Sequence, residues 1–216
     1  TKGTKIKIFV DNDPDEINAG DGDLVEARIT MSKTNSIRVE VETLLSKATD
    51  VGADITQIIA EKDAPFIFPD EVLAEAKAIP QEINKDDIQN RVDYRDELVV
   101  TIDGADALDF DDAVQVSLLP NNSYKIVVHI ADVSHYVTPG TAIDTEADNR
   151  GTSIYVADRV VPMLPTELSN GICSLNPNVD RFTLSVEMSV DSRGNVFQSS
   201  IHKGVIRSKA RLTYTE

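Results

Sequence analysis

Thr101-Ile-Asp-Gly-Ala-Asp-Ala-Leu-Asp-Phe-Asp-Asp112 packs five carboxylates into twelve residues. The run lies between two apolar segments, Leu98–Ile102 and Ala113–Leu119, which predict strands leading into and out of an acidic turn. Two unit charges about 4 Å apart repel by roughly 4 kcal/mol at an effective dielectric near 20. A fold that gathers several carboxylates at the end of a sheet therefore needs protonation, backbone N–H donors or a divalent cation to offset them. An oxygen-only donor set of this density suits Mg²⁺ or Mn²⁺ rather than zinc. Metal-assisted phosphate chemistry is the leading reading, and an acidic turn without a ligand is its alternative.

Spacing sharpens the expectation. Asp103 ends the first apolar run and Gly104 permits a sharp exit. Asp109 and Asp111 alternate with Phe110, so an extended chain turns both carboxylates to one side and buries the ring on the other. Asp112 points away in a regular strand, and a bend or bulge is needed to bring it in. The generic Ca²⁺ loop does not fit this run, nor Asp11-Asn-Asp-Pro-Asp-Glu16, where Glu16 stands in place of the required glycine.

Further motifs extend the pattern. The run Thr101–Val114 is followed by His129-Ile-Ala-Asp-Val-Ser134, Arg150-Gly-Thr-Ser-Ile-Tyr155 and Val161-Pro-Met-Leu-Pro165. Leu168-Ser-Asn-Gly-Ile-Cys-Ser-Leu-Asn-Pro177 and Val179-Asp-Arg181 complete it. In this order they resemble the catalytic (RNB) domain of the ribonuclease II and ribonuclease R family, over about residues 20–216, and the Gly-Thr-Ser-x-Tyr form is closer to the bacterial ribonuclease R branch. The resemblance implies processive 3′-to-5′ hydrolysis of single-stranded RNA to nucleoside 5′-monophosphates with Mg²⁺, Mn²⁺ being the substitute. It places the family's four acidic residues on Asp103, Asp109, Asp111 and Asp112. Asp103 and Asp112 would hold a metal directly, and Asp109 and Asp111 would complete the cluster, position a second ion or orient the attacking water. Asp106 is not one of the four and reads as a solvated turn carboxylate.

Tyr155 matches the family's aromatic residue that stacks on a nucleotide near the RNA 3′ end. From the residues alone a core tyrosine with a satisfied hydroxyl is the commoner case. Val156-Ala-Asp-Arg159 departs from the Phe-Pro or Leu-Pro that often follows this tyrosine. Arg150, Arg159 and Arg181 have the planar fork that suits phosphate oxygens, with surface ion pairs as the bland alternative. Arg150 ranks first because it precedes the Tyr155 loop. Strand alternation sets His129 opposite Ile126, Val128 and Ile130, which favours a structural, hydrogen-bonded imidazole. Cys173 stands alone, without partner spacing, and reads as an inert thiol.

A chain of 216 residues holds one to two domains with adequate cores. No apolar run approaches the roughly 18 residues of a membrane span. With one cysteine and no opening signal peptide, cytoplasm is the expected compartment, and no dedicated protein partner is evident. The formal charge of −16 sits badly with phosphate affinity, which rests on Lys and Arg. Residues 1–100 carry 22 acidic and 12 basic residues; residues 101–216 carry 15 and 9, five of the acids lying between Asp103 and Asp112. Outside the cluster the second half nets −1, so bound cations would neutralise much of the remainder.

The expected fold class is α+β in three parts. Residues 1–50 read as strands Lys5–Val10, Leu24–Met31 and Ile37–Leu45, by resemblance a partial cold-shock, OB-like β-barrel. Residues 51–97 read as a helical connector: a helix over 53–62, a second capped by Asp70 and ended at Ile79-Pro80, and a short third over Lys85–Asn90. Residues 98–216 read as the strand-rich N-terminal part of an RNB domain, with strands near Ser123–Ala131, Phe182–Val190 and Val196–Arg207 and a turn at Asp191-Ser-Arg-Gly194. The run Arg211-Leu-Thr-Tyr-Thr-Glu216 falls mid-domain by the family's pattern, without its later arginine, glutamate, second aromatic or S1-type domain. A fragment that folds but is weak or inactive alone is therefore expected. Two rival functions remain: a non-catalytic RNA-binding module of the same fold, and a structural acidic protein with cation-stabilised loops.

Overall fold

The computed structural model of the chain describes residues 6–120 and 122–215, which fall into two compact units, 6–66 with 155–161 and 67–154 with 162–215. In the first unit β1 (Lys7–Val10), β2 (Leu24–Lys33) and β3 (Ser36–Ser46) form a sheet in the order β1-β3-β2. β2 and β3 make an antiparallel hairpin, while β1 runs parallel to β3 with Phe9 opposite Arg38. These are the three expected strands, Lys5 lying outside the described residues. The expected barrel is not closed: the described strands form an open sheet whose outer members each pair on one side. The helix α1 (Ala53–Glu61) follows with Thr56 and Ile59 buried, as its apolar spacing predicts.

The second unit opens with α2 (Asp70–Ala78). Pro69 occupies the cap position and Asp70 the first helical one, a shift of one residue from the expectation. The Asp70 charge then stabilises the helix through its N-terminal dipole rather than by capping. Ile79 turns extended before Pro80 and ends the helix, because the proline ring disfavours helical backbone in the residue before it. The expected third helix is a 3₁₀ turn, Lys85–Ile88, capped by Asn84, whose side chain accepts from the Asp86 N–H at 3.1 Å.

The remaining elements are β4 (Val92–Asp93), β5 (Val100–Asp103), β6 (Asp112–Leu118), β7 (Tyr124–Ala131), α3 (Ala142–Arg150), the short strands β8 (Ile154–Tyr155) and β9 (Val160–Val161), a π-helical turn over Glu167–Ile172, β10 (Asp180–Val190), β11 (Val196–Arg207) and β12 (Ala210–Thr213). Seven of these strands build one mixed sheet in the order β12-β5-β6-β7-β10-β11-β4. Its central pairs are antiparallel, and the outermost pairs, β12 with β5 and β4 with β11, are parallel. One face packs on Val72 and Ala76 of α2, Ile143 of α3, and Leu168 and Ile172 of the π turn, against Val99, Ala113, Val127 and Ala131. Each fully buried side chain of valine or leucine size contributes about 1.5–3 kcal/mol. The opposite face is also apolar, with Val114, Val128 and Val186 in one cross-strand row and Val116, Ile130 and Leu184 exposed beside them.

No apolar stripe announces α3, whose sequence is Ala-Ile-Asp-Thr-Glu-Ala-Asp-Asn-Arg. Its ends are secured instead. Thr141 Oγ1 accepts from the Asp144 N–H, Glu75 Oε2 of α2 accepts from the N–H groups of Ala142 and Ile143 at 2.8 and 3.2 Å, and Gly151 closes the helix at φ 70°. The turn between β10 and β11 forms where expected: Asp191 Oδ1 accepts from Arg193 and Asn195, and Gly194 adopts φ 88°. Among the described residues no helix is long and apolar enough to cross a membrane.

Candidate functional site

β5 and β6 are in register at Val100 opposite Val114, and residues 104–111 cross between them outside regular strand. Asp103 is the last residue of β5 and Asp112 the first of β6, where it lies opposite Ile130. Phe110 is buried to 3% exposure, as the alternation predicts. Its N–H donates to Ser174 Oγ at 3.0 Å and its carbonyl accepts from Leu175 at 2.9 Å, while the Ser174 hydroxyl donates to the Leu108 carbonyl at 3.0 Å. The Asp111 carbonyl accepts from the Ala131 N–H at 2.9 Å, which ties the loop to β7. Gly104 leaves β5 without left-handed backbone and with open space where a Cβ would sit, so the sharp exit does not depend on glycine. Asp106 is exposed at the turn.

The fold brings Asp103, Asp109, Asp111 and Asp112 into one electrostatic cluster. Burial, then Asp112 and Asp109, push the Asp103 carboxyl above its ordinary value, against the opposing charge of Arg211. Burial, then Asp109, Asp112 and Asp103, push Asp111 up as well, although much of that residue stays open to solvent. Asp103 Oδ2 is buried with no hydrogen-bond partner. An orphaned carboxylate oxygen within an all-oxygen donor set fits a hard divalent cation. The fit is one of chemistry rather than of a finished cage, because among the described residues no three acidic, His or Cys side chains converge as ligands.

The sign of the Asp111 shift makes a prediction. A raised folded-state value means the folded protein holds that proton more tightly than the unfolded chain, so stability falls as pH rises from the ordinary carboxylate range through the raised value. At neutral pH the Asp111 charge opposes folding. Asp111→Asn is expected to raise the melting temperature at pH 7 in EDTA, with the gain vanishing below the ordinary carboxylate range. An unchanged melting temperature at pH 7 would show that the cluster stores no repulsion.

The two expected RNA contacts are placed differently. Tyr155 belongs to the first unit and is 68% exposed. Arg150 ends α3 with its side chain buried: Nε pairs with Glu146 at 2.7 Å, and Nη1 and Nη2 donate to the carbonyls of Pro162 and Ile67 at 3.0 and 2.9 Å. Its guanidinium also lies 3.6 Å over the Phe68 ring, so its fork is engaged within the protein. Arg181 donates to the carbonyls of Ser174, Asp180 and Gly171, and Arg159 to the Gly52 carbonyl and the Thr56 hydroxyl. His129 is fully buried, its Nδ1 lies 2.8 Å from Ser185 Oγ, and burial lowers it to about 4, so it stays neutral and structural. Sequence reasoning passed over Ser174 and Arg211, which reach the acidic loop from 64 and 107 residues away in the chain. Ser174 sits in the Leu168–Pro177 motif, but nothing local signals its partner.

Residues 91–216 match the RNB domain family. Ribonuclease R 1 of Lactococcus lactis subsp. lactis is 50% identical over 174 residues, covering 81% of this chain and 21% of that protein. The chain thus spans about a fifth of that relative's length. Among solved structures, Mycoplasma genitalium RNase R in complex with double-stranded RNA superposes with a TM-score of 0.84 at 31% identity, covering 97% of this chain and 38% of that one. Yeast Ssd1, a pseudonuclease, shares the fold with a TM-score of 0.65 at 17% identity, covering 87% of this chain and 24% of that one.

Proposed function

The chain belongs to the RNB domain family, and from that premise we propose that it carries the aspartate side of a 3′-to-5′ exoribonuclease site of the ribonuclease R type. The substrate is the 3′ end of single-stranded RNA, the products are nucleoside 5′-monophosphates, and the cofactor is Mg²⁺, with Mn²⁺ as substitute. The observation that carries the reading is the coupling of four aspartates around a buried, unpartnered Asp103 oxygen. Asp103 and Asp112 are the direct ligands in this reading; Asp109 and Asp111 complete the charge and orient the water. A hard divalent ion held by Asp103 and Asp112 would supply acidity to that water and charge stabilisation at the departing 3′ oxygen. Phe110, anchored below the loop, keeps the carboxylates on the open side. In the same reading the domain boundaries are 1–50, 51–97 and 98–216. The parallel β1–β3 pairing beside a hairpin supports taking residues 6–50 as three strands of an OB-like, cold-shock module.

Tyr155 supplies a sequence-tolerant stacking platform for a base near the RNA 3′ end, and Arg150 ties the end of α3 to Ile67 and Pro162 rather than spending its fork on phosphate. Tyr155→Ala is expected to weaken RNA binding by about 1–3 kcal/mol per stacked base. Filter binding with single-stranded RNA checks this, and unchanged affinity would show that Tyr155 takes no part in RNA binding.

The function is tested by grafting this chain in place of the matching segment of the Lactococcus ribonuclease R 1. A 5′-labelled single-stranded RNA should shorten stepwise from its 3′ end with Mg²⁺ and stay intact in EDTA. Intact RNA in both lanes with retained gel-shift binding would favour the non-catalytic module.

A further inference from the structure

We infer that Arg211 is a positioning residue that clamps the acidic loop shut, joining the start of the loop to its end. The inference rests on reading the four aspartates as a cation site. β12 runs parallel to β5 with Arg211 opposite Thr101, one strand away from the cluster. From there Arg211 Nη2 donates to the Gly104 carbonyl at 3.1 Å and also to the Ala105 carbonyl, where the chain leaves β5. The same guanidinium lies over the Phe110 ring, 5.1 Å from its centroid, where the chain approaches β6. One side chain therefore touches both halves of the segment that carries Asp103 and Asp109–Asp112. Ser174 holds only the second half, through Leu108 and Phe110.

The physical need for such a clamp follows from the charges. Four carboxylates drawn together push the loop open, and a guanidinium resists this by geometry and by charge, since its field acts directly on Asp103. Arginine suits the task better than lysine, because a planar guanidinium can donate to two adjacent carbonyls from one nitrogen while its face lies on an aromatic ring, which a compact ammonium cannot cover. Holding the loop in place before a cation arrives keeps its carboxylates near their liganding positions, as partners around metal sites commonly do.

Two substitutions separate the planar guanidinium from its charge. Arg211→Lys keeps the charge and loses the planar group; Arg211→Met keeps length over the ring and loses both donors and charge. Hydrogen exchange in EDTA is read at the amides of Ala107 and Phe110, with β7 amides as the internal control. Both variants should exchange the two loop amides about tenfold faster while β7 is unaffected. Mn²⁺ binding, followed by the loss of its free-ion resonance, should weaken about 10- to 100-fold in both.

Wild-type loop exchange in Arg211→Lys overturns the clamp, and so does Mn²⁺ binding that is unchanged or tighter in both variants, since Arg211 would then be a counter-charge only. Loosened loops in a protein whose unsubstituted form binds no Mn²⁺ would support the clamp and sink the cation reading of the aspartates. Should the methionine variant unfold, seen as loss of β7 protection, the lysine variant alone decides.

Discussion

Asp112→Asn in the grafted ribonuclease is expected to slow RNA hydrolysis by at least about 1000-fold, roughly 4 kcal/mol of transition-state stabilisation. The expectation comes from position and charge together. Asp112 opens β6 opposite Ile130, with its neighbour Asp111 bonded to Ala131, so the backbone is set by the ladder and not by the side chain. Asparagine is nearly isosteric and keeps one oxygen, but it removes the charge that a hard cation requires of its ligands. The same substitution relieves repulsion on Asp103 and Asp111, both of which feel Asp112. The variant should therefore be no less stable than its parent, and a loss of activity with a preserved or higher melting temperature separates chemistry from unfolding. Shortening of RNA at the parent's rate would remove Asp112 from the cation site. Loss of gel-shift binding along with hydrolysis would recast it as a residue for gripping RNA.

The largest effect on stability is expected at Asp132, in the His129–Ser134 motif. Arg91 and Asp132 form an ion pair at 2.7 Å with side chains only 3% and 4% exposed. The Arg91 guanidinium also lies 4.0 Å over the Phe182 ring and reaches the carbonyls of Thr183 and Gly204. Asp132→Ala leaves that cation buried without its counter-charge, which costs about 3–5 kcal/mol. Pairing it with Arg91→Met should recover much of the loss, because an apolar replacement of both partners removes the stranded charge.

The acid side gives an independent check. Burial pushes Asp132 up, but the hydrogen bonds from Arg91 and Ser134 more than offset it and hold the carboxyl below its ordinary value. A depressed folded-state value contributes stability that is complete above the unfolded range and fades as pH falls through the folded one. The gap between parent and Asp132→Ala in urea titrations should be full at pH 7 and shrink at pH 3 and below. A gap independent of pH would mean that packing, not charge, is lost.

Much of the architecture was legible before any coordinates. β11 begins and ends where alternation places it, and the Asp191–Gly194 turn uses its aspartate and glycine as turn chemistry requires. Phe110 is buried between two aspartates because a period of two is a local property of extended chain. The helix α3 was invisible, since its stability comes from Glu75 and Thr141 at one end and an Arg150–Glu146 pair at the other, not from an apolar stripe. Residue type and chain position alone point Arg150 toward phosphate. Its burial on Phe68 depends on a segment more than eighty residues earlier in the chain.

The sequence by itself determined the longer strands, where the hairpin turns and that residues 103–112 are an acidic turn, because alternation, turn propensity and charge density are written in adjacent residues. Which four of its five aspartates matter came from the family resemblance, and the short strands β4, β8, β9 and β12 carry no such local signal. Tertiary structure alone decided what holds that cluster together. Ser174 and Arg211 reach it across 64 and 107 residues of chain, through sheet order and buried hydrogen bonds that no local period encodes. It also decided that β1 lies beside β3 in an open sheet, because pairing partners are chosen by which edges meet in space and not by the pattern within any one strand.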